Sequence, residues 1–126
     1  MKYDIKPNQS SIFKPVMQKD RLIKAIKIDV LIQKVREIEI YDCMADILSS
    51  LNANECDRFQ YSESETFFVG KDLKFKTHKA FKFKSNDKVF NGSAILLNLP
   101  SRGATGKMCS TKLSIEEVNS LVEFLG

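Results

Sequence analysis

The chain has 126 residues, of which 43% are hydrophobic, and carries 20 Lys and Arg against 16 Asp and Glu, a net charge of +4. That length suits one domain able to bury roughly two thirds of its unfolded surface, and no apolar run reaches the ~18 residues of a membrane span. The polar start, MKYDIKPNQSS, lacks the apolar centre of a secretory leader, and three cysteines without a CxxC pair argue against a disulfide framework. The expectation is therefore a cytoplasmic or nuclear protein, not secreted, with no membrane partner and with Cys43, Cys56 and Cys109 reduced.

Residues 1–20 read as an irregular arm, because Pro7, Pro15 and the polar cluster Asn8–Ser11 break any periodic pattern. Ile5, Ile12, Phe13 and Val16 offer anchors, either to the chain's own body or to a second subunit. Residues 21–35, RLIKAIKIDVLIQKV, suit a strand with Leu22, Ile26, Ile28, Val30 and Ile32 on one face, or a helix. The β-branched content favours the strand.

A helix is expected over residues 37–52, where Ile40, Met44, Ile47, Leu48 and Leu51 keep the spacing of a buried stripe. Glu37 and Glu39 fall in its first turn, where acids suit the helix dipole, and Asn52 and Asn54 stop it. Asp42 and Asp46 lie one turn apart on its outer face. Without further oxygen ligands at metal spacing they read as solvated surface, and no metal or cofactor site is expected. Residues 56–69, CDRFQYSESETFFV, read as a strand, a polar turn and a second strand. Glu63 and Glu65 there lack any histidine or metal partner that would make them a catalytic pair.

Positive charge concentrates in Lys71–Phe90, KDLKFKTHKAFKFKSNDKVF, with seven lysines against Asp72 and Asp87. Side chains alternate across a strand. Leu73, Phe75, Phe81 and Phe83 would then face a core, while Lys74, Lys76, His78, Lys82 and Lys84 face outward. One strand fits, as do two with a turn near His78–Ala80. The outward lysines are either the solvent side of a sheet or a phosphate-binding face. Asn91-Gly92 signals a tight turn, and it would join this segment as a hairpin to SAILLNL, residues 93–99, an apolar run with the look of a central strand. The loop PSRGATGKM, residues 100–108, adds Arg102 and Lys107. It departs from a nucleotide-binding loop, with Ser101 where the first glycine belongs and Met108 after the lysine. MCSTKL, residues 108–113, reads as a short strand. Ser114 and Glu117 then form a capping box for a helix over about 115–125, whose apolar face is Ile115, Val118, Leu121, Val122 and Leu125.

The succession FKFKS, AILLNLP, a basic Gly-rich loop, MCSTKL and SIEEVNSLVEFL, within residues 67–125, resembles the end of the domain in Whirly proteins and the general transcriptional positive coactivators. The resemblance implies curved antiparallel sheets packed by a helix, oligomerisation through helices, and single-stranded DNA bound on the sheets. It is carried by the order of elements rather than by a motif, and the helix expected at 37–52 departs from it.

The fold expected is thus α+β, a single domain of mainly antiparallel sheet packed by a middle and a C-terminal helix. His78 is the only histidine, and it offers no Ser-His or Cys-His arrangement, so no enzyme is expected. The first functional reading is nucleic-acid binding, to single-stranded DNA or RNA, by Lys74, Lys76, Lys82, Lys84, Arg102 and Lys107. The second is a small regulator or inhibitor docking on an acidic surface of a protein partner, as a monomer or a homo-oligomer. A small-ligand pocket with a basic rim ranks below both.

Overall fold

A computed structural model describes residues 21–74, 79–100 and 108–125. Their fold is α+β. The elements are β1 (Leu22–Asp29), β2 (Lys34–Tyr41), α1 (Met44–Leu51), β3 (Ala53–Gln60), β4 (Glu65–Leu73), β5 (Ala80–Phe83), β6 (Val89–Phe90), β7 (Ala94–Asn98), α2 (Ile115–Leu121) and β8 (Val122–Leu125). A five-stranded sheet has the order β2-β1-β7-β4-β3, and a three-stranded sheet the order β6-β5-β8. Every pairing is antiparallel.

The larger sheet is covered on both faces, which is why β7, at its centre, is apolar at every position but its last. On one face Ile26, Ile28, Phe67, Val69, Ala94 and Leu96 meet Phe81 and Phe83 of the small sheet and Val118 of α2. On the other, Ile23, Ala25, Phe68, Ile95 and Leu97 meet Ile47 and Leu51 of α1. Two alternating sets of side chains on one sheet thus feed two cores.

Several expectations need correction. The middle helix is shorter than 37–52, because residues 37–41 belong to β2. E-I-E-I-Y alternates with period two, and an antiparallel partner lies four turn residues upstream in β1. Pairing with β1 satisfies every second main-chain group and places Ile38 and Ile40 in the core around Ile47. Strand β1 is as expected from Leu22 to Asp29, but Ile32 lies in the β1–β2 turn and is exposed, not on the buried face. The C-terminal helix ends at Leu121. Val122–Leu125 instead form the strand β8, which supplies β5 with a second hydrogen-bonded neighbour.

The stretch Lys71–Phe90 is not one strand. Lys71–Leu73 finish β4 in the large sheet, and Ala80–Phe83 form β5 in the small one. Its hairpin partner is β6, not the run 93–99, and Asn91-Gly92 carries the chain from one sheet to the other. Gly92 sits there at φ +133, where a Cβ would come 3.3 Å from Leu73 Cδ1. Of residues 108–113 only Cys109 pairs, in a bridge to Asn98. The capping box forms as expected, with Ser114 Oγ accepting from Glu117 N at 3.1 Å and Glu117 Oε1 accepting from Ser114 N at 2.8 Å. The strand–turn–strand reading of 56–69 also matches, as β3 and β4.

Candidate interaction surface

Of the six lysines and arginines singled out by the sequence, the described residues include Lys74, next to the large sheet, and Lys82 and Lys84, in and next to the small one. Lys76, Arg102 and Lys107 lie outside the described residues. Lys74 is exposed just past the end of β4, its N–H donating to Asn52 O at 2.8 Å. The residues flanking 101–107 lie at the other end of the same sheet, since Glu65 pairs with Asn98 while Val69 pairs with Ala94. Strand β4 has 9 residues, and eight steps of about 3.3 Å put roughly 26 Å between those ends. Lys82 points away from the core on the small sheet and is held between Asp87 at 3.5 Å and Glu123 at 3.4 Å. Glu123, then Asp87, raises its pKa. Lys84 is exposed beyond the end of β5.

Phe81 and Phe83 are buried and so not open to stacking by a base. Phe83 lies 4.9 Å from Phe67 and 5.2 Å from Phe59, centroid to centroid, and Phe81 lies 5.3 Å from Phe90. Lys88 Nζ sits 5.5 Å over the Phe59 ring and 5.6 Å over that of Phe90. The described residues carry 13 cationic side chains against 14 acids, so the body they form is nearly neutral. The surplus of seven cations over two acids falls in residues 1–20, 75–78 and 101–107.

Asp42, Asp46 and Glu65 have structural partners. Asp42 precedes α1 rather than sitting on its outer face. Its carboxylate takes Arg21 Nη2 at 3.2 Å and Met108 N at 3.3 Å, while Asp46 accepts from Tyr41 N at 2.7 Å. Glu65 is 5% exposed. Its Oε1 accepts from Thr111 Oγ1 at 2.5 Å, and its Oε2 from Asn98 Nδ2 at 2.8 Å and Lys112 N at 3.0 Å. It ties the approach to α2 onto the large sheet. Lys27 Nζ donates to Ser50 O at 2.8 Å and lies 3.9 Å from Asp29. Burial lowers its pKa, with Asp29 opposing and Arg36 assisting. Burial raises the Cys56 thiol, and all three cysteines are free. Among the described residues, no three His, Cys, Asp or Glu side chains come together to hold a metal ion, and no helix is long and apolar enough to cross a membrane.

What the fold does bring together is a surface on the first hairpin. Leu22 pairs with Tyr41, Lys24 with Glu39 and Ile26 with Glu37, so these six share a face. The small sheet and α2 cover that face only from Ile26 onward. Leu22 is 55% exposed and Tyr41 48%. Beside them lies an open cleft of about 320 Å³ lined by Lys24, Ile26, Glu37, Leu113, Ile115 and Glu116 among others. Lys24 Nζ is 3.4 Å from Glu37 Oε2, which leaves Glu116 as surplus negative charge on its rim, while Glu39 lines an adjoining hollow with Lys24, Glu37 and Ile38. The floor is apolar: Ile26 is buried, and Leu113 and Ile115 are half-buried. At the other end of the hairpin Leu31 and Ile32 are also exposed. The sequence reading missed this surface because it placed Glu37 and Glu39 on a helix. The period-two pattern V-R-E-I-E-I-Y was the signal for it.

No family model, curated protein or solved structure matches the chain.

Proposed function

We propose that the protein is a protein-binding module that docks through the outer corner of its first hairpin. The observation that carries this reading is the exposed pair Leu22 and Tyr41, set against a cleft with an apolar floor and an acidic rim. Contiguous apolar surface edged by charge is what protein partners bury. Tyrosine is favoured at such sites because it has an apolar body and a polar tip. The rim is acidic here, so the complementary partner is basic, the opposite of the partner that a lysine-rich face would select.

Affinity capture from cell extract, comparing the protein with a Leu22→Ser/Tyr41→Ser variant, tests the reading. Both side chains are half exposed, so the variant should keep its fold and its circular dichroism. A protein retained by the parent, lost by the variant and rebinding as a purified partner is the expected result. Identical retention by both would overturn the reading.

A second reading, single-stranded nucleic-acid binding, keeps the support of two observations. Lys74 and Lys84 are exposed with no ion pair among the described residues, and surplus positive charge lies in residues 75–78 and 101–107. With Lys82 committed to Asp87 and Glu123, five of the six cations are left for phosphates. Log K against log salt should then fall with a slope near −3.5, at roughly −0.7 per contact. Fluorescence anisotropy of a labelled ~20-nucleotide strand measures that slope, and absence of binding at low salt would dismiss this second reading.

A further inference from the structure

We propose that the edge of β2 that no described residue occupies receives an extended peptide in which basic and aliphatic residues alternate, adding a sixth strand to the large sheet. The proposal rests on the protein-binding reading and names the partner's chemistry.

Strand β2 is an outer strand of eight residues, with β1 on one side and no described residue paired on the other. In an antiparallel pair, successive residues turn their N–H and C=O groups alternately towards the partner and away. Tyr41 N–H points away from β1, since it donates to the Asp46 carboxylate. Residues of the same parity, Val35, Glu37 and Glu39, therefore turn their main-chain donors and acceptors to the open edge. These groups are what an incoming strand would pair with.

The side chains beside that edge set the sequence it would accept. Glu37 and Glu39 lie on the cleft side, and Ile38 and Ile40 on the α1 side, where they join the core around Ile47. Residues directly opposite each other across two strands are in contact and favour opposite charge or apolar pairs. An incoming strand thus places lysine or arginine against Glu37 and Glu39, and valine or isoleucine against Ile38 and Ile40. A long basic side chain would lay its apolar stem on Leu113 and Ile115 and carry its charge to Glu116.

The same charges exclude the commonest competitor for an open edge, a second copy of the chain. A two-fold antiparallel pairing of β2 with itself keeps each face on its own side. Its best-overlapping registers therefore set Glu37 against Glu37 or against Glu39. Like charges directly opposite are destabilising, and charged side chains are how open edges commonly avoid self-association. The edge is closed to itself and open to a basic strand.

The test uses a fluorescein-labelled peptide, GKVKIKVKG, against the full chain at low salt. Two comparisons carry it: GKKKKVIVG, which has the same composition in blocks, and GEVEIEVEG. The alternating basic peptide should bind saturably and at least about fivefold more tightly than the block peptide, because only alternation presents charge and apolar groups to opposite faces. A Glu37→Lys/Glu39→Lys variant should weaken the basic peptide by about tenfold or more and take the acidic peptide instead. An unchanged circular dichroism spectrum of the variant separates that gain of binding from unfolding. Methylating alternate peptide amides should abolish binding by removing main-chain donors. Equal binding of alternating and block peptides, unchanged preference in the charge-swapped variant, or a dimer of the parent chain dispersed by that variant would each overturn the proposal. If it falls while a Leu22- and Tyr41-dependent partner is still captured, the protein-binding reading survives without strand addition.

Discussion

Replacing Glu65 by alanine should destabilise the fold far more than replacing it by glutamine. The carboxylate is buried and accepts three hydrogen bonds, from Thr111 Oγ1, Asn98 Nδ2 and Lys112 N. A bond to a charged acceptor contributes about 1.5–3 kcal/mol, and a buried donor left unmade costs about 1–3 kcal/mol. In Glu65→Ala, the Asn98 amide keeps its contact with Ser64 Oγ at 2.9 Å, and the Thr111 hydroxyl rotates. The Lys112 N–H has no such recourse. The side-chain stem also vacates its site. A loss of about 3–4 kcal/mol follows, a large part of the roughly 5–15 kcal/mol typical of a domain.

Glutamine keeps the shape. Its carbonyl oxygen can still take Asn98 and Lys112, and its amide can donate to Thr111 Oγ1, so only the charge is lost, about 1 kcal/mol. Urea unfolding measures both. With m near 1–3 kcal/mol per M, the alanine midpoint should fall by more than about 1 M and the glutamine midpoint by well under half of that. Hydrogen exchange at the Lys112 amide should accelerate in the alanine variant before global unfolding. If the two variants lie within about 0.5 kcal/mol of each other, the idea that this carboxylate clamps the segment before α2 is wrong.

Three further outcomes are expected. Gly92→Ala should lose about 1–3 kcal/mol in the same urea assay, because φ +133 is open almost only to glycine. Ser114→Ala should cost about 0.5–2 kcal/mol through loss of the capping box, with Ser114→Gly costing less. Burial holds the Lys27 ammonium below its ordinary value of 10.5. Between the folded and unfolded values the unfolded chain binds more protons, so stability should rise with pH in the window just below 10.5. Lys27→Met should remove that rise, measured as unfolding free energy at a series of alkaline pH values.

The features read correctly from sequence are those whose cause is local. The capping box needs only Ser114 and Glu117, three residues apart, and it forms as expected. Strand β7 betrays its central place because two covered faces demand apolar residues at successive positions, and AILL supplies them. The polar turn after β3 is set by SESE between two aromatic runs.

The features misread are those where one local pattern has two uses. Ile40 stands four residues before Met44, as on a helix, and two after Ile38, as on a strand. The antiparallel partner β1 decides for the strand. Val122, Phe124 and Leu125 could extend the helix begun at Ser114, but β5 lies alongside with an unpaired edge and draws them into β8. Lys71 and Lys82 belong to one charged run in sequence, yet Lys71 lies in the large sheet and Lys82 in the small one, where Glu123 from another strand pairs with it. Composition and periodicity thus determined that this chain folds as α+β with an antiparallel sheet and a capped final helix. Which strand meets which, and hence which charges are spent within the fold and which edge is left open, was decided only by the tertiary structure, because main-chain pairing and burial are satisfied between segments far apart in the chain.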